Sequence, residues 1–118
     1  MQVLVLDEFR QRGSQIAEKV ASGSGAQVVA CQITNEFMTA LGQGNTEKVI
    51  VDVPTWNSGR AIYTYFGVAA RLETVPVVFY NAPEGFETLA GRPRHNLDRV
   101  LSASCDSEAV VEAALSKE

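Results

Sequence analysis

Cysteine is nearly absent from the chain: Cys31 and Cys105 are its only two, with no CxxC pair and no zinc-like cluster, so both read as reduced thiols. Histidine occurs once, at His95, which leaves a Ser/His/Asp hydrolase nothing but a loop imidazole to work with. No apolar run reaches the length of a membrane span. No basic n-region, apolar h-region or small-residue cleavage site follows Met1, so the expectation is a cytoplasmic protein without a secretory signal. Positive charge is scarce too, with 10 Lys and Arg against 14 Asp and Glu and a net charge of −4, which removes the electrostatic basis for binding nucleic acid or an anionic membrane. The one basic concentration, RPRHNLDR, reads as a solvated loop. Neither GxGxxG nor GxxxxGK[ST] occurs. The glycine-rich stretches GSG (23–25) and GQGN (42–45) lie between a helix end and a strand start, and read as helix stops in left-handed conformation.

What is present is alternation. At 118 residues, 46% hydrophobic and 20% charged, the chain has room for one domain, 1–118, around one sizeable core. Strand-length apolar runs at 2–7, 26–32, 47–53, 75–81 and 99–104 are separated by segments of helical spacing. Those are 13–22 with Ile16, Ala17 and Val20; a helix capped by Thr34 or Asn35 that carries Phe37, Met38 and Leu41; 59–72; a short helix near EGFETLAG; and the final SEAVVEAALSK. Strict alternation at these short spacings predicts parallel βαβ units in an α/β, doubly wound five-stranded parallel sheet with helices on both faces. The Val, Ile and Leu content of the strands suits a sheet buried on both sides. The common order for such a sheet is the flavodoxin-like 2-1-3-4-5, with ligands outside the carboxyl ends of the strands. In that order strands two and five are opposite edges, about 19 Å apart at roughly 4.8 Å per step. A disulfide needs Cα atoms within about 7 Å, so no internal Cys31–Cys105 bridge is expected.

Acids gather at those carboxyl ends. Asp7 and Glu8 close the first strand and Asp52 closes the third, and the predicted order makes these strands neighbours, roughly 5 Å apart. Two unit charges about 4 Å apart repel by roughly 4 kcal/mol at an effective dielectric near 20, so such a cluster binds a cation, holds a proton or splays into water. A hard divalent ion such as Mg²⁺ suits oxygen donors. The plainer alternative is that these acids cap the helices that follow them. The loop after Asp52 is expected to hold Trp56, either as a partner-contact candidate or packed against the next helix.

VLVLDE, VIVDVP, VPVVFYNA and the final strand-helix unit together resemble the receiver domain of two-component response regulators over essentially the whole chain. The resemblance implies that Asp52 is the phospho-acceptor candidate. It also implies that Asp7, Glu8, Asp52 and the main-chain carbonyl of Pro54 hold Mg²⁺, and that the partners are a histidine kinase, an effector domain or protein, or a second copy of the chain. The departures from the family pattern are equally specific. Asn81 stands where the family has a Ser or Thr hydroxyl. Ser102, Ala103 or Ser104 falls where the phosphoryl-binding Lys belongs, and no Lys lies between Val75 and Leu115. The strand-five aromatic switch is missing. A phosphoryl group at Asp52 would lack a charge-assisted partner and a two-state readout. The resemblance therefore leads to a pseudo-receiver that is not an enzyme and acts mainly through protein contacts. The alternatives are a working phospho-acceptor receiver and, from another class, a small flavodoxin-like domain binding a nucleotide or flavin.

Overall fold

The computed structural model describes residues 2–60, 75–84, 99–102 and 106–115, with backbone alone at residues 34 and 57–60. The expected helix near EGFETLAG, nearly all of the 59–72 helix, His95 and Cys105 fall outside the described residues. In chain order the elements are β1 (Gln2–Leu6), α1 (Arg10–Ser24), β2 (Gln27–Cys31), α2 (Thr34–Gly42), β3 (Thr46–Asp52), α3 (Val53–Arg60), β4 (Val77–Ala82), β5 (Arg99–Ser102) and α4 (Ser107–Leu115). The five strands form one sheet in the order β2-β1-β3-β4-β5, and every pairing is parallel, as the alternation predicts.

Strand periodicity divides the core in two. Leu4, Leu6, Val49, Val51, Val77 and Phe79 pack with Phe37 and Leu41 of α2 and Trp56 of α3. Their strand neighbours Val3, Val5, Ile50, Val78 and Tyr80 pack with Ile16 and Val20 of α1 and Val110, Val111 and Ala114 of α4. Side chains two apart share a face, so consecutive apolar residues in β1 and β3 each find a separate core. Of the edge strand β2, only Cys31 is fully buried. Cys31 is a free thiol whose pKa is pushed up to about 11, first by burial and then by nearby Glu36.

Helix boundaries differ from the sequence expectations in three places, each for a local reason. α1 begins at Arg10, ahead of residue 13, and Gly13 N–H donates to the Phe9 carbonyl. α2 starts at Thr34 with Ile33 as its N-cap and no side-chain cap bond, so neither Thr34 nor Asn35 is the cap. α3 begins at Val53, directly after the strand, where a loop was expected. Proline at the start of a helix gives up no intrahelical hydrogen bond, so Pro54 here initiates a helix instead of interrupting the chain. The glycine stops are as expected: Gly25 and Gly44 adopt φ of 72° and 77° after α1 and α2.

Candidate functional site

Parallel pairing of β1 with β3 sets Leu6 opposite Val51, so the next residues, Asp7 and Asp52, leave the sheet side by side. Both are buried, at 1% and 0% exposure. Burying a lone carboxylate costs several kcal/mol even after relaxation. That matches the gain from burying one or two leucines, so the fold must neutralise these acids.

Arg12, from the first turn of α1, does so. Its Nε donates to Asp7 Oδ2 at 2.6 Å and its Nη2 to Asp7 Oδ1 at 2.9 Å, while Nη2 also lies 3.1 Å from Asp52 Oδ1. Neutral donors complete the set. Phe9 N–H donates to Asp7 Oδ1 at 2.9 Å and the Tyr80 hydroxyl to Asp7 Oδ2 at 2.5 Å. The Asn81 amide donates to Asp52 Oδ1 at 2.7 Å; Thr55 N–H and Thr55 Oγ1 donate to Asp52 Oδ2 at 3.2 and 2.6 Å. Three of the four carboxylate oxygens thus accept two hydrogen bonds each, and the fourth, Asp52 Oδ1, accepts one from Asn81 and is in ion-pair contact with Arg12. Asp52 is also the N-cap of α3, so part of its charge is balanced by the positive end of that helix.

The surroundings hold this network in place. Arg12 lies 4.9 Å from the Phe9 ring centroid and 5.6 Å from that of Tyr80. Hydrogen bonding to Asp7 raises the guanidinium pKa, partly offset by burial and reinforced by the charges of Asp7 and Asp52. The Tyr80 hydroxyl is pushed up well above its ordinary value, first by burial and then by its hydrogen bond to Asp7. Thr55 Oγ1 also accepts from Glu8 N–H at 3.0 Å, tying the β1–α1 connection to α3. Gly13 allows the close approach of α1, since a Cβ there would lie 3.3 Å from Asp7 Cβ.

Asp7 and Asp52 are brought together as expected, and Asn81 reaches Asp52 through its side chain, from a backbone at φ 56°. Asparagine is among the few residues that tolerate this region. The Glu8 side chain is exposed while its amide faces Thr55, so the expected three-acid cluster contains two acids. Pro54 sits in the first turn of α3, where a backbone carbonyl points along the helix axis toward its intrahelical partner. Trp56 is not in a loop. It is 8% exposed and packs edge-on against Phe37 with ring centroids 6.4 Å apart, which removes it as a partner contact. Ser102 ends β5 exposed, and Ala103 and Ser104 are outside the described residues.

Arg12, Thr55 and Tyr80 were not singled out from the sequence. A signal for Arg12 was there: Arg10 and Arg12 occupy a first helical turn with no acidic residue, where the helix dipole disfavours cations unless an anion stands close by.

No family model matches the chain, and no curated protein does. Solved structures do. One is the crystal structure of a response regulator protein from Burkholderia pseudomallei with a phosphorylated aspartic acid, a calcium ion and citrate. It is 18% identical with a TM-score of 0.69, over 98% of this chain and 66% of that one. Another is the solution structure of the E. coli RcsC C-terminus, containing a linker region and phosphoreceiver domain. It is 17% identical with a TM-score of 0.57, over 95% of this chain and 43% of that one. The chain therefore has the fold of a receiver domain, and it spans about two thirds of the first structure and under half of the second.

The fold family implies a divalent metal in this crevice, but the side chains present do not fit one. The oxygens that would coordinate it are already engaged by N–H and O–H groups, and a guanidinium lies between the two acids. No group of three or more His, Cys, Asp or Glu among the described residues is arranged to hold a metal ion.

Proposed function

We propose that residues 1–118 form a single receiver-like signalling domain, not an enzyme, that acts in the cytoplasm by docking on a histidine kinase, an effector or a second copy of itself. Phosphoryl switching at Asp52 is impaired or absent. The observation that supports this reading is Arg12. Phosphoryl transfer to a carboxylate requires an oxygen free to attack and cationic groups around the incoming phosphoryl oxygens. Asp52 Oδ1 is engaged by Asn81 and Arg12, and Oδ2 by Thr55 through both its amide and its hydroxyl. Attack would require breaking contacts that neutralise a fully buried charge. The absence of a Lys between Val75 and Leu115 removes the charge that would otherwise compensate the product.

The test is incubation with acetyl phosphate or phosphoramidate and Mg²⁺, followed by intact-mass measurement. The expected spectrum shows no stable, stoichiometric adduct. An adduct that disappears in Asp52→Asn would overturn the reading in favour of a working phospho-acceptor.

A further inference from the structure

We propose that Arg12 is a built-in cation standing in the position a divalent metal would take between Asp7 and Asp52, and that removing it uncovers a metal site made by those two acids. The inference deepens the receiver reading and rests on it for the expectation of a metal. A single nitrogen, Arg12 Nη2, lies 2.9 Å from Asp7 Oδ1 and 3.1 Å from Asp52 Oδ1, so one cationic centre bridges one oxygen of each acid. Arg12 Nε takes the second Asp7 oxygen at 2.6 Å. The remaining partners of these three oxygens, namely Phe9 N–H, Tyr80 hydroxyl and Asn81 amide, are neutral. Arg12 therefore supplies the only full positive charge touching the pair among the described contacts.

While the guanidinium is in place it excludes a second cation by occupancy and by repulsion. As part of the chain, it is always present beside the acids, and any metal must displace it to bind. Once it is deleted, two acids at 1% and 0% exposure face each other with uncompensated charge and three oxygens each freed of a donor. A hard, partly hydrated ion such as Mg²⁺ or Mn²⁺ satisfies that demand. The Arg12 side chain is 33% exposed, so the space it vacates opens to solvent and provides the way in.

The experiment compares wild type, Arg12→Ala, Arg12→Lys and Arg12→Ala/Asp52→Asn by Mn²⁺ electron paramagnetic resonance and by melting in MgCl₂ against chelator, at constant ionic strength. Wild type and Arg12→Lys are expected to leave Mn²⁺ free and to melt at the same temperature with or without Mg²⁺. Arg12→Ala is expected to melt low in chelator and to recover saturably, by roughly 5 °C at a tenfold excess over the Kd. The double variant is expected not to respond. If Arg12→Ala folds only when metal is present, the proposal is likewise supported. Saturable Mn²⁺ binding by wild type overturns it, and so does an Arg12→Ala protein indifferent to metal or unfolded in its presence. Aspartyl phosphorylation of wild type without Mn²⁺ binding would sink the protein-contact reading and leave the cation assignment standing. Metal binding by wild type without phosphorylation would do the reverse.

Discussion

The two ends of the sheet treat buried polar groups differently. At the carboxyl end, two buried acids have every oxygen engaged by hydrogen bonds or an ion pair, with Gly13 close against Asp7. At the amino end of β3, Lys48 Nζ reaches the Ala114 carbonyl in the last turn of α4 at 2.7 Å. Its pKa is lowered, mainly by burial and further by Arg99. Nearby Thr46 Oγ1 is buried with no hydrogen-bond partner among the described residues, and a cavity of about 350 Å³ opens between Val3, Val20, Lys48 and Leu115. One end is engaged and tight; the other keeps slack. The contrast locates constraint at the carboxyl ends of the strands, where open α/β sheets place their ligands, even though the groups there are engaged with one another.

The largest expected effect is at Arg12. Arg12→Ala leaves two buried carboxylates without their cation and should cost about 3 kcal/mol by urea denaturation. That is the low end for breaking a buried ion pair, because the arginine is partly exposed. Tyr80→Phe comes next. Losing a hydrogen bond to a buried charge costs about 1.5–3 kcal/mol near neutral pH. Its pH dependence has a definite sign. Because folding raises the Tyr80 pKa, the stability gained from keeping it neutral is complete below about pH 10 and is lost as pH rises beyond that. Stability-versus-pH curves should therefore fall less steeply above pH 10 for Tyr80→Phe than for wild type.

A pair of glycines compares the two ends directly. Gly13→Ala should destabilise by about 1 kcal/mol despite alanine's higher helix propensity, because Asp7 is pinned and cannot yield. In Gly23→Ala the new Cβ would meet Leu115 Cδ1 at 2.6 Å, but that side-chain tip borders the cavity and can swing into it. This variant should stay within about 0.5 kcal/mol of wild type or exceed it. Equal losses for the two glycines would erase the contrast. The smallest effect is a gain: Thr46→Val removes an unpaired hydroxyl and should stabilise by about 1 kcal/mol in the same assay.

The sheet was legible from the sequence because the signal for it is repeated: five apolar runs, strictly alternating, leave few topologies open. Asp7 and Asp52 were legible for the same reason, since strand order alone makes them neighbours. Arg12 was not, because its role depends on a helix that starts three residues earlier than its apolar periodicity shows, at a turn made by Asp7 and Phe9. The segment after Asp52 misled in the opposite direction. It reads as a loop, yet Asp52 caps the helix that Pro54 helps to start, and that same helix carries Trp56 into the core and Thr55 onto the acid. Each alternative raised for the acids matches part of the geometry: Arg12 contacts both acids, and Thr55 N–H donates to Asp52 at the start of α3.

The most direct test of the central claim is a crystal structure grown in excess Mg²⁺ or Ca²⁺. The account predicts that the Arg12 guanidinium lies between Asp7 and Asp52 in density with no metal ion there. A metal coordinated by both carboxylates, with Arg12 turned out to solvent, would contradict it.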